Sequence, residues 1–383
     1  MLREDFQPTA PGILVDLPSG HAAFVPNPLP PQVALDFARM RQVEEARAVL
    51  SELAGLARLT RNLQLIIRAF ARREAIESSR LEGTQTEIEG LLLEEAVPED
   101  VLGEDTDLFE VLNYLATITF GAESLADGRP LSASLIRELH ARLMQGVRGS
   151  DKHPGSFRAR DVYIGRRQGG FDEARFVPPP HERVSSLVDQ LVSFAGEGPV
   201  LGPLVDIALL HYQFECIHPF EDGNGRLGRL LMPLQLIAWG AIDRPLLYLA
   251  PYFERHADEY RDGLLQVSLA GAWNEWIRFV VEAVHESAVD ARQRVQRLID
   301  LDGDYQEKAA SLRSRYASRA LHSILESVIT SVPQLQAALG VSAPAGKTLI
   351  DGFVGLGILE PYRRVRGRQT WIARQVLDQL YGR

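Results

Sequence analysis

The chain has 383 residues, 45% of them hydrophobic and 24% charged, enough for two or three domains with their own cores and ordinary for a globular protein. A formal net charge of −10 argues against a surface that binds nucleic acid non-specifically. The single cysteine, Cys216, excludes an internal disulfide and sits in an apolar run, where a small buried residue is expected.

Residues 1–35 are proline-rich (PGILVDLPSG, VPNPLPPQ) and read as irregular chain running over the surface. The start, MLREDFQP, lacks the basic and apolar regions of a secretory leader. The longest uncharged apolar stretch, Leu230 to Ile242, is too short to cross a bilayer. A cytoplasmic protein with no membrane partner is the expectation. Helical periodicity runs from Leu35 to about Gly83, and again from about Asp105 to Gly146. Ser78 and Glu82 lie four apart on one helix face, and Gly83 suits the helix C-terminus.

The helical pattern breaks at HPGSFRARDVYIGRRQGGFDEARFVPPP. Val162-Tyr163-Ile164 and Arg175-Phe176-Val177 are short β-like runs about a Gly- and Arg-containing turn, the outline of a hairpin. Arg158 and Arg160 beside it receive no role; solvated charge accounts for them. Helical periodicity returns over Glu182 to Ala195 and Leu204 to Cys216, then from about Arg255 to Asp300.

Between these helices lies HPFEDGNGRLGR, residues 218–229. Gly223-Asn224-Gly225 has little bulk and can turn successive backbone N–H groups inward, a nest for an anion. The apolar run from Arg226 to Trp239 reads as a helix, and a loop feeding a helix N-terminus suits phosphate. Arg226 and Arg229 lie three apart, share a helix face and can fork onto phosphate oxygens. Asp222 offers a hard oxygen to Mg²⁺, which travels with nucleotide phosphates. His218 is the residue for a general base. His211, seven residues earlier, has no third partner at a spacing that would make a zinc site.

The end of the chain differs in composition. Residues 310–383 carry ten Lys/Arg against four Asp/Glu. Residues 300–319 read as a charged helical connector. Arg319 to Thr330, Ser331 to Leu339 and Ala345 to Leu356 follow helix patterns. Ile358 to Tyr362 and Thr370 to Ala373 are extended runs around the basic turn RRVRGR. Three helices and a two-stranded basic wing outline a winged helix-turn-helix. Two roles stay open for Arg363, Arg364, Arg366 and Arg368: contacts to DNA phosphates, or an interaction module. The recognition-helix candidate, GKTLIDGFVGLG, has one cation and one acid, thin for base readout. Its Gly-Lys-Thr is not a P-loop, because the glycine needed five positions before Gly346 is Val341.

HPFEDGNGRLGR resembles the Fic-family signature HxFx(D/E)GNGRxxR throughout. HPGSFRARDVYIG and ARFVPPP resemble that family's two flap strands, and EAIESSRLEGTQTE, residues 74–87, its N-terminal inhibitory element (S/T)xxxE(G/N). The resemblance implies a mainly α fold: a Fic-type helical bundle with a small β-hairpin flap, plus the C-terminal winged helix. It implies residues 1–104 as the N-terminal segment with the inhibitory helix, 105–300 as the catalytic domain and 301–383 as the winged domain. It implies AMPylation, the transfer of AMP from ATP to a protein hydroxyl. His218 would take the hydroxyl proton, Phe220 anchor the loop and Asp222 hold Mg²⁺. Gly223, Asn224 and Gly225 would cradle phosphates, with Arg226 and Arg229 on the outer ones. Val162, Tyr163 and Ile164 of the flap would pin a target's main chain, and Glu82, with Ser78, would inhibit through Arg229. AMP removal, transfer of another phosphate-containing group, and a nucleotide-sensing DNA-binding regulator are the alternatives. The target protein stays open, as does assembly, a homodimer included.

Overall fold

The computed structural model describes residues 3–60, 63–97, 106–165 and 169–382. Its first regular structure corrects an expectation. Gly12–Asp16 (β1) and Ala22–Pro26 (β2) form an antiparallel hairpin around the Pro-Ser-Gly turn. The prolines mark its ends rather than an irregular path. Ala23 and Phe24 are fully buried, and the Phe24 N–H donates to the Val177 carbonyl (3.0 Å). Apolar burial thus pulls this stretch into the core.

Helices follow. Phe37–Leu59 (α1) starts on Asp36, whose carboxylate accepts from the Arg39 N–H. Leu63–Arg80 (α2) is followed by Ile88–Ala96 (α3), Thr106–Ala126 (α4) and Ala133–Leu143 (α5). The expected domain boundary at 104/105 lies outside the described residues. A short ladder of Ile164–Gly165 (β3) and Ala174–Phe176 (β4) comes next, with residues 166–168 of its expected turn outside the described set. Then come Val184–Gly196 (α6), Pro203–Ile217 (α7), Asn224–Ala238 (α8), Ala250–Arg255 (α9) and Ala257–Ala270 (α10). Pro203 sits at the first turn of α7, where its missing N–H costs nothing.

α7 is buried on nearly all sides, its buried Asp206, His211 and Gln213 held by hydrogen bonds among apolar neighbours. It lies between two packed regions. One joins β2, α1, α2 and Trp273–Ala309 (α11) to the C-terminal helices. The other joins α4, α5, α6 and α8. α11 buries Trp276, Val280, Val284, Ala288, Ala291 and Val295 along one stripe against its neighbours, α1 among them. The stripe carries it through residue 300, so the expected connector up to Ala309 is the same helix and the expected boundary at 300/301 falls inside it.

The remainder runs Ala317–Ser327 (α12), Ile329–Ser331 (β5), Val332–Leu339 (α13), Ala343–Gly355 (α14), Glu360–Val365 (β6), Arg368–Ile372 (β7) and Arg374–Tyr381 (α15). The three strands are antiparallel in the order β5-β7-β6. This part is fastened to the N-terminal half. Arg72 of α2 pairs with Glu95 and donates to the Glu326 carbonyl and the Tyr381 hydroxyl. Arg294 of α11 caps α15 through the carbonyls of Gln379, Leu380 and Gly382. α3, which periodicity does not isolate, packs on β5, and Ser331 donates its hydroxyl to the Ala96 carbonyl (2.7 Å).

Candidate active site

α7 stops at Ile217 because His218 turns left-handed, with φ +50°, while its N–H still closes the last helical bond to Phe214. Phe220 is fully buried and stacks on His140 of α5, ring centroids 3.7 Å apart and 7° from parallel. Asn224 clips the loop shut. Its side-chain oxygen accepts from the Phe220 N–H (2.9 Å) and its amide donates to the Phe220 carbonyl (2.8 Å). α8 begins there, its first N–H groups and its dipole directed at the loop. Two glycines sit tightly against side chains, and only the first also has a left-handed backbone. A Cβ on Gly223, at φ +77°, would meet Met144 Sδ at 2.6 Å, and one on Gly225 would meet Glu82 Oε1 at 2.3 Å.

The Asp222 carboxylate accepts from the Gly223 N–H (2.8 Å) and from the Lys152 ammonium (2.8 Å). Burial works to raise its pKa, but Lys152 and the Gly223 N–H outweigh that and hold it below the usual range. Its carbonyl accepts from His140 Nε2 (2.9 Å), while the Gly155 N–H donates to Nδ1 (2.8 Å). That pair of bonds defines the tautomer, and burial takes the His140 pKa down to about 4. An ionised, part-exposed carboxylate beside a helix N-terminus fits Mg²⁺, which binds through one or two carboxylates plus phosphates and here would displace the Lys152 ammonium.

The two motif arginines do not share a partner. Arg226 is paired with Glu110 of α4 at 2.8 Å, the side chains 2% and 1% exposed. Its guanidinium is committed inside the protein. Arg229 is equally buried. It donates to Ser78 through Nε (to Oγ) and Nη2 (to the carbonyl), each at 2.9 Å, and through Nη2 to Glu82 Oε1 at 2.7 Å. Ser78 and Glu82 therefore both meet Arg229, although Glu82 lies in the turn after α2 rather than on its helical face. Burial alone would lift the Glu82 carboxyl; Arg229 outweighs it and lowers it.

His218 opens on a cavity of about 230 Å³, also lined by Glu82, Phe176, Glu215, Arg229 and Tyr260. Burial, helped by the Arg158 guanidinium, pushes the His218 pKa down to about 4, so its imidazole is neutral. Burial likewise lifts Glu215 to about 7 and Cys216 to about 12, which leaves the thiol protonated and inert. His211 Nε2 is bonded to the Tyr260 hydroxyl (2.8 Å). Of the three expected flap residues, only Ile164 is in the ladder, opposite Phe176. Val162 and Tyr163 precede it, and the register shift lies on its other side, between Ile164 and Gly165.

Arg158, expected to be solvated, is 3% exposed. The basic wing stays at the surface but makes contacts to α3. Arg363 and Arg374 face Glu89, Tyr362 donates its hydroxyl to Glu89, and Arg366 reaches Glu94 and the Val97 carbonyl. Arg363 remains 65% exposed, so the acids of α3 offset only part of the wing's charge. The sequence reasoning missed Glu110, His140, Lys152 and the burial of Arg158. Each is joined to its partner only by tertiary packing.

The structure is mainly helical with a glycine-lined, histidine-bearing loop at the start of a helix, and it shares its fold with solved Fic structures. Residues 130–236 match the Fic/DOC family, and residues 40–123 match the Fic/DOC family N-terminal domain. The chain is 30% identical over 154 residues to the Protein adenylyltransferase Fic of Aedes aegypti, covering 40% of this chain and 27% of that protein. It is 25% identical over 228 residues to the protein of the same name from Drosophila persimilis, covering 57% and 41%. The matched region thus spans less than half the length of these relatives. Among solved structures, a Fic family protein from Desulfovibrio desulfuricans superimposes with a TM-score of 0.57 at 22% identity, over 90% of this chain and 98% of that one. A Fic domain-containing signaling protein from Bacteroides thetaiotaomicron gives 0.53 at 20%, over 67% and 97%. These likenesses establish the fold.

Proposed function

We propose that the chain is a protein adenylyltransferase at rest, restrained by its own Glu82. The observation that carries this reading is the convergence of His218, Asp222 and Arg229 on the glycine-lined start of α8, beside the cavity. A nucleotide base enters the cavity and the phosphates lie along the N–H groups of Asn224 and Gly225 at the start of α8. A target hydroxyl attacks the α-phosphorus of ATP. The bond from that phosphorus to the bridging oxygen breaks, pyrophosphate leaves, and the hydroxyl proton passes to the neutral His218 imidazole. Asp222 would hold Mg²⁺, whose charge offsets that of the phosphates when bound.

Arg229 is the cation of the pair that meets a phosphate in this scheme once Glu82 gives way, since Arg226 is tied to Glu110 and braces the loop from behind. Glu82 occupies Arg229 and so competes with the outermost phosphate. The flap, with Ile164 at its paired position, adds a target strand to its edge. We take residues up to α3 as the inhibitory segment, α4 to α11 as the catalytic unit and the remainder as a winged helix-turn-helix that docks on α3. Nothing in the wing supports the DNA-binding alternative.

The test is to incubate the chain, Mg²⁺ and a cell lysate with ATP labelled at either the α- or the γ-phosphate. Protein labelling from the α-position alone is expected. Labelling from the γ-position would make it a kinase and overturn the proposal.

A further inference from the structure

Arg158 is a buried cation whose bonds all end on backbone carbonyls. Its Nε donates to His218 (2.9 Å), Nη2 to Pro179 (2.5 Å) and Ile217 (3.3 Å), and Nη1 to Arg160 (3.2 Å). Its own N–H donates to the Pro219 carbonyl (2.9 Å). It thus touches the last residue of α7, the first two residues of the loop and the exits of both flap arms. No carboxylate forms an ion pair with it among the described residues; Asp161 and Glu182 face it only at longer range. Burial takes the Arg158 pKa down to about 10, so it remains charged near neutral pH. A buried charge without a paired acid costs stability, and apolar packing could fill the same space. The cost places a cation one peptide from His218.

We propose that Arg158 is a positioning residue for His218: it fastens the left-handed loop to the flap, and its charge opposes protonation of the imidazole. This rests on the reading of His218 as the base. The other charged groups facing His218 are Glu82 beyond α2 and Asp222 in the loop, both favouring the protonated form, as does the Glu215 backbone of α7. Arg175, Glu215, Arg229 and Arg261 line the same cavity. Arg158 is the basic group whose charge most lowers the His218 pKa, after burial itself.

The experiment follows the His218 ring carbon by NMR across pH in the full chain, with the signal assigned by its loss in His218→Asn. Arg158→Met and Arg158→Lys are compared with wild type. α-Phosphate labelling is measured across pH in the same variants combined with Glu82→Gly. Arg158→Met is expected to move the His218 titration up by about one pH unit or more, and the acid limb of kcat/KM with it. Arg158→Lys keeps the charge but not the fork. It is expected to hold the titration near wild type while labelling falls about tenfold. Identical His218 titration in Arg158→Met and wild type overturns the electrostatic part. Wild-type labelling in Arg158→Lys overturns the positioning part, and does so even if Arg158→Met fails to fold. Should no variant label protein at all, the adenylyltransferase reading fails by itself, and the NMR titration still decides the role of Arg158.

Discussion

Replacing Glu82 by glycine should release the enzyme. The contact to be lost is the 2.7 Å bond from Arg229 Nη2 to Glu82 Oε1. A charge-assisted bond in a buried site contributes about 1.5–3 kcal/mol, and an exposed ion pair about 0–1 kcal/mol. Arg229 is buried but the Glu82 side chain is 38% exposed, so water screens part of the pair. A value of about 1–2 kcal/mol is appropriate between those limits. That is the competition the outermost phosphate faces at Arg229, and it corresponds to roughly 5–30-fold in occupancy. Arg229 should stay in place in the variant, because both bonds to Ser78 remain. Glu82 lies past the end of α2 and just before Gly83, which already has φ +98°. The helix interior is therefore untouched, and the melting temperature should change by only a few degrees. The assay is α-phosphate labelling of the chain and of lysate proteins, with ATP affinity measured alongside by calorimetry. Labelling is expected to rise by about that factor and to vanish when His218 is also replaced. Unchanged labelling with ATP binding intact would show that the Glu82–Arg229 contact does not gate the reaction.

Three further outcomes are expected. Glu110→Ala strands the Arg226 guanidinium in the core, so denaturant unfolding should show a loss of about 3–5 kcal/mol, with Glu110→Gln losing less. Lys152→Met removes the ammonium from Asp222, so Mn²⁺ titrated as a Mg²⁺ substitute should bind more tightly by calorimetry; weaker binding would mean that Lys152 orients the carboxylate rather than competing for it. His218 has its pKa depressed to about 4, so the neutral base persists as pH falls from 7.5 to 5.5. In Glu82→Gly, protonation of His218 should therefore not reduce kcat/KM across that range, whereas an unperturbed histidine would be about 90% protonated at the lower end.

Much of the fold was readable because its signals are local. Apolar residues recur every three or four positions along α11 and dominate α7 and most of α8, and the punctuation of the motif loop is confined to a dozen residues. What was not readable depends on distant pairs. Glu110 looks like one acid in an apolar helix until α4 meets α8. Arg158 sits in a run of charges that looks solvated, and only the closure of hairpin and loop buries it. The first hairpin was hidden because prolines around two short apolar runs suggest loop as readily as strand ends. α11 overran its expected end because the charged residues after 300 occupy one face of a helix whose other face still packs. The Ser78–Glu82 spacing carried further, since both contacts fall on a single side chain, Arg229.

The left-handed backbone at His218 has a consequence for how inactive forms of the protein should be made. At φ +50° an alanine would remove the imidazole and also favour a different turn, because its Cβ disfavours that region. The loop that seats Phe220 and starts α8 would then relax together with the chemistry, and lost labelling would have two causes. Asparagine tolerates the left-handed region. His218→Asn is therefore the cleaner catalytically dead form, and a trap built on it should retain the native entrance for a target protein.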